Sequence, residues 1–185
     1  MDNDVSAGSG ITTVVGRLAL GITLLAFGLG TTEVINGVTA ADAGSIAQYV
    51  GGVALFLVGL FAFRDRDSVS GTAYTVLGAL WFTWAVAEPA SANATGLFLL
   101  LFALVALTLT AAPGDQLAKG TYGLFLVALV LMAVASFAGN DGLAKVGGWF
   151  AVVAGAVAWY AATAAYAHWP TVLPRRAGRG VTATG

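Results

Sequence analysis

Gly96–Ala112 reads GLFLLLFALVALTLTAA, without one charged residue. A helix needs about 20 apolar residues, at about 1.5 Å each, to cross a hydrocarbon core of roughly 30 Å, and about 17 is the short limit. This run reaches that limit. Five others approach or exceed it: Leu18–Val34, Ile46–Phe63, Val69–Ala87, Thr121–Phe137 and Val146–Ala167. The stretches between them carry helix breakers. Asn36-Gly37 opens the first loop, and Arg64-Asp65-Arg66-Asp67 forms a tight charged turn. Glu88-Pro89, Pro113-Gly114-Asp115 and Gly139-Asn140-Asp141-Gly142 follow. Proline disfavours helix in the residue before it, and Gly, Asn and Asp favour turns.

Composition gives the same answer. Of 185 residues, 58% are hydrophobic and only 9% charged, against about 25% charged in a soluble domain. The mean hydropathy is +0.87. The net charge of −1 offers nothing to a nucleic acid. There is no cysteine and one histidine, His168. Disulfides, thiolate metal sites, iron–sulfur clusters and any site needing two imidazoles are therefore excluded within one chain. No metal, cofactor or catalytic residue is expected, and the chain does not read as an enzyme.

The expected fold is an all-α integral membrane protein, a bundle of six transmembrane helices. A polar tail over 1–13 precedes the membrane domain at 14–168, and a basic tail covers 169–185. The leader carries Asp2 and Asp4 rather than basic residues, so the first segment reads as an uncleaved span and not a signal peptide. With six spans both termini share one side. That side collects Arg17, Arg64, Arg66, Lys119, Arg175, Arg176 and Arg179, and the other holds only Lys145. The positive-inside rule then puts both termini in the cytoplasm of a multi-pass cell-membrane protein.

Every Lys, Arg, Asp and Glu falls at or near an expected helix end. Buried charges mark ion pathways and proton relays, so a pump with a midplane carboxylate and a retinal protein with a buried lysine are both disfavoured. Arg17 and Glu33 flank the first span, where they either gate its mouths or simply reach the interface. Trp81 and Trp159 lie deeper, where an indole N–H needs a partner. Thr31 and Thr32 are polar groups inside the first span, free to line a passage or to bond back to their own helix. Val50-Gly51-Gly52 with Gly59 and Val146-Gly147-Gly148 with Gly155 share one spacing, a pattern that lets helix backbones approach closely.

Two stretches carry a family likeness. Tyr49–Trp84 resembles the second and third helices of the acetate/succinate permease family (acetate uptake transporters) in Gly51-Gly52, Gly59, Phe63-Arg64, Thr72-Ala73-Tyr74 and Gly78-Ala79-Leu80-Trp81. Lys145–Ala165 is similar to that family's last helix, with its GG-aromatic start. The family's N-P-A-P-x-G-L motif falls on Gly16-Arg17-Leu18-Ala19-Leu20-Gly21-Ile22, which keeps only the Leu-Gly pair and an aliphatic. The resemblance implies passage of acetate, with succinate as a further substrate, coupled to protons or carrying the neutral acid. It also implies a constriction at Leu25, Leu77 and Phe125, while Thr31, Thr32 and Trp81 remain polar or aromatic pathway candidates read from the spans themselves. The family's ring-shaped hexamers would make the protein a homo-oligomer in lipid. Small residues on the sixth helix, Ala154, Gly155, Ala158, Ala161, Ala162 and Ala165, would permit tight helix contacts. Two alternatives stand beside this reading: a channel for neutral solutes such as urea, ammonia or water, and an accessory membrane subunit with no pore.

Overall fold

The fold was analysed in a computed structural model that describes residues 10–87 and 91–169. The Glu88-Pro89 break, the acidic leader and the arginines at 175, 176 and 179 lie outside the described residues. Six helices are long and apolar enough to cross a membrane: α1 (Ile11–Thr32), α2 (Ala40–Arg64), α3 (Ser68–Val86), α4 (Ala92–Ala111), α5 (Gln116–Ala138) and α6 (Asp141–Tyr166). Most begin earlier than hydropathy alone places them, because their first turns are polar and capped. Asp67 accepts from Ser70 N at 3.0 Å, Ser91 from Ala94 N at 3.2 Å, Asp115 from Ala118 N at 2.7 Å and Asn140 from Leu143 N at 3.0 Å. Each cap satisfies an N–H that a helix start otherwise leaves unpaired. The first helix starts at Ile11, inside the stretch read as a polar tail.

α1 packs along α6, α6 on α5, α5 on α4, and α2 on α3, with α2 also against α1. Glycine makes two of these contacts intimate. A Cβ on Gly28 would fall 2.6 Å from the carbonyl oxygen of Gly148, and one on Gly155 2.7 Å from Leu25 N. Across α2 and α3, a Cβ on Gly78 would meet Phe56 N at 2.6 Å, and one on Gly59 would collide with Thr75. The shared glycine spacing thus serves two seams, α2 on α3 and α6 on α1. The first-helix glycines do not break α1, which runs continuously from Ile11 to Thr32. The irregular backbone is in α2, where Ala47–Ala54 forms a π-helical segment.

The small residues of α6 make the tight helix contacts expected of them, and they make them within the chain. Ala154, Gly155, Ala158, Ala161 and Ala162 are buried within the chain, and Ala165 alone of the set is exposed. They bring α6 against its own neighbours and leave little for a second copy. The outer surface is instead made of large apolar side chains. Leu97, Leu101, Leu104 and Leu107 on α4 and Leu60 and Phe61 on α2 are all about half exposed. Trp159, expected to lie deep, is 49% exposed on α6. Apolar helices with an apolar exterior belong in lipid, since water would not tolerate so large a contiguous patch. The chain is a multi-pass membrane protein.

Candidate functional site

α1 and α3 present parallel stripes at helical spacing. The first is Arg17, Leu20, Leu24 and Phe27, and the second is Tyr74, Leu77, Trp81 and Trp84. α5 adds Tyr122, Phe125 and Leu129, and α4 adds Phe98 and Phe102. The backbones of α3 and α4 hardly approach each other. Side chains fill the space between them.

That filling is an aromatic stack. Trp81 meets Phe27 edge-on with ring centroids 5.1 Å apart, Phe102 edge-on at 5.3 Å, and Phe125 in a stacked arrangement at 5.7 Å. Phe102 and Phe125 are edge-to-face at 5.5 Å. Such pairs contribute about 0.5–1.5 kcal/mol each beyond the area they bury. Trp81, Phe125, Leu77 and Leu24 have no solvent exposure. The indole Nε1 of Trp81 has no hydrogen-bond partner, and Thr75 Oγ1 is the other buried unpartnered side-chain atom among the described residues. An orphaned buried N–H costs roughly 1–3 kcal/mol.

The stack has open space at one end. Trp84 and Phe98, with centroids 5.7 Å apart, form its top and also the floor of a vestibule of about 600 Å³ bounded by Ala40, Gly44, Ala94 and Thr95. The opposite end is where α1 begins. Beside it, Arg17, Leu20, Thr121, Tyr122 and Ala158 line a separate gap of about 10 Å³ between α1, α5 and α6, at most the space of one water. Here the Arg17 guanidinium pairs with Asp115, and Tyr122 lines the same gap. Tyr74 also donates to the carbonyl of Thr13 at 3.3 Å.

Of the residues expected at a constriction, Leu77 and Phe125 come together in this core, together with the pathway candidate Trp81. Leu25 does not. It is half-buried and packs on Gly155 of α6, while its neighbour Leu24 turns inward with 0% exposure. Thr31 and Thr32 are also displaced from the stack. Their hydroxyls donate to their own helix, to Phe27 O at 2.8 Å and Leu29 O at 3.0 Å, and their side chains press on Gly148. Arg17, read as a residue just below the first span, is set inside α1 instead. Leu24, Phe27 and Phe102 were not singled out from the sequence. The spacing 17, 20, 24 and 27 on α1 carries the signal that would have found the first two.

Comparison with known proteins agrees with this fold. A family model described as the GPR1/FUN34/yaaH family matches residues 9–172. A glyoxylate pathway regulator of the yeast Yarrowia lipolytica is 25% identical over an alignment covering 83% of this chain. The match takes in 63% of that relative's length. Among solved structures, that of the bacterial acetate channel SatP has the same fold, with a TM-score of 0.79 over 89% of this chain and 98% of that one, at 21% identity.

Proposed function

The chain belongs to the GPR1/FUN34/yaaH family, and on that premise we propose that it passes small monocarboxylates, acetate first among them, across the cell membrane. The observation that carries this reading is the buried aromatic stack that opens at one end onto a vestibule, with one unpartnered indole N–H at its centre. A carboxyl oxygen or a water passing Trp81 would satisfy that donor. The rest of the stack is apolar and carries no charge. A bare carboxylate entering it pays a large desolvation penalty with no paired cation, so the neutral acid, or the anion with a proton, is the form that crosses. A carboxylic acid titrates near pH ~4, and flux therefore rises as external pH falls. Succinate, with two acid groups to neutralise, crosses less readily than acetate. The arginine and lysine bias puts both termini in the cytoplasm. That makes the Arg17 end the inner mouth and the vestibule the outer one. Assembly into a homo-oligomer, a hexamer by resemblance, would use the large exposed apolar faces rather than the small residues of α6.

Labelled acetate and labelled urea, offered in parallel to proteoliposomes and protein-free vesicles over a range of external pH, test this. Protein-dependent acetate uptake that grows with acidity supports the proposal. Urea flux exceeding acetate flux would replace it with a neutral-solute channel, a reading the charge-free stack also accommodates. Absence of any protein-dependent flux would leave an accessory subunit.

A further inference from the structure

Among the described residues, every other Lys and Arg is exposed, and Arg17 alone is partly buried. Its side chain keeps 22% of its surface and lies one turn below Leu20. Tyr74 lies one turn below Leu77, and Tyr122 one turn below Phe125. Arg17, Tyr74 and Tyr122 thus share one level, a turn before the side chains of the stack. The partner of Arg17 has a second duty. Asp115 Oδ1 accepts from Ala118 N at 2.7 Å as the cap of α5, and only Oδ2 engages Arg17. Asp115 is 47% exposed, so losing Arg17 would return that oxygen to solvent while the cap remained. A guanidinium has five N–H donors in a planar fork, and Asp115 takes one nitrogen of it.

We propose that Arg17, flanked by Tyr74 and Tyr122, is a carboxylate-binding site at this mouth, and that Asp115 occupies it as an internal stand-in for the substrate. An arriving carboxylate displaces Asp115 and takes the guanidinium through two hydrogen bonds, the geometry that suits arginine best. Release restores the Arg17–Asp115 pair and closes the mouth. The site selects for a carboxylate over a neutral amide of the same size, which the apolar stack alone does not do. This inference rests on the carboxylate reading above.

The test is the acetate concentration giving half-maximal flux in proteoliposomes, with the melting temperature of each purified variant measured alongside. Arg17→Gln should raise that concentration about tenfold, the effect of losing a hydrogen bond to a charged group, and should leave any urea leak unchanged. Asp115→Asn keeps a good helix cap and removes the competitor, so it should lower the concentration several-fold. Arg17→Lys should fall between wild type and Arg17→Gln. A purely structural ion pair predicts that both removals lower the melting temperature and leave half-saturation unmoved, and that result would overturn the proposal. If Arg17→Gln cannot be purified, Asp115→Asn decides alone, with an unchanged or raised value counting against the site. Wild-type protein that carries no acetate would overturn the transport reading and this inference together. Wild-type flux with an unmoved Arg17→Gln curve would remove only the inference.

Discussion

The seam between α1 and α6 and the stack between α1, α3, α4 and α5 share one helix and are built from opposite materials. In the seam, Gly28 approaches the backbone of Gly148 and Gly155 that of Leu25, with only the side chains of Thr31, Thr32, Val152 and Leu25 packed alongside. In the stack, Phe27, Trp81, Phe102 and Phe125 hold the helices apart. Backbone against backbone has no rotamer to change. Aromatic side chains do have alternatives, and the loose approach of α3 to α4 gives them somewhere to go. The difference divides the molecule into a frame and a filling. A passage that opens does so through the filling, while the frame keeps the termini of α1 in place.

The largest expected effect comes from breaking the frame. Gly155→Leu puts a branched side chain where even a Cβ lies 2.7 Å from Leu25 N. Overpacking costs about 1–3 kcal/mol where side chains can shift, but here the nearest atoms are helix backbone and the α1–α6 contact itself is lost. No monodisperse protein should be recovered, as read by size-exclusion chromatography in detergent. Emptying the filling should be milder for folding and stronger for function. Trp81→Ala should lose about 3–5 kcal/mol of stability, seen as a lower melting temperature, yet give folded protein with a raised, poorly selective leak of acetate and urea. A third comparison sharpens the register between the two regions. Leu24→Ala should cost about 2–5 kcal/mol because it opens a cavity in the filling, whereas Leu25→Ala, half-buried beside Gly155, should cost distinctly less. Equal losses would mean that the inward face of α1 has been misassigned. The smallest effect is expected at the far end of the seam, where Lys145 Nζ meets Glu33 Oε2 at 3.0 Å with both side chains about half exposed. Lys145→Gln should change stability by less than about 1 kcal/mol and leave acetate half-saturation at the wild-type value.

Much of the frame was legible in the sequence. Six spans follow from hydropathy because a bilayer leaves a chain few other structures, and the glycines at 51, 52, 59, 147, 148 and 155 announce close helix approach. Span starts were less legible. Hydropathy windows skip the polar first turns that Asp67, Ser91, Asp115 and Asn140 cap. The filling was legible only in part. Leu77 and Phe125 emerge from the family resemblance and Trp81 from its depth in the span, but Leu24 and Leu25 are neighbours of the same type, and an ungapped alignment cannot choose between faces 100° apart. Thr31 and Thr32 look like pathway groups to anyone counting polar atoms. Their bonds to Phe27 and Leu29 depend on the helix itself, and their position on the distance to Gly148. Arg17 was visible as a residue and invisible as half of an ion pair, since its partner Asp115 is far away in the chain and meets it only when the bundle brings the starts of α1 and α5 together.

The π-helical segment of α2 bears on what the chain can lose. Each i→i+5 turn holds one residue more than the i→i+4 turn it replaces, so Ala47–Ala54 carries surplus length between two stretches of ordinary helix. Removing one residue within 47–54 would return the segment to ordinary α-helix and still present Leu55–Arg64 to the same neighbours, a tolerance that a deletion elsewhere in the span would not share.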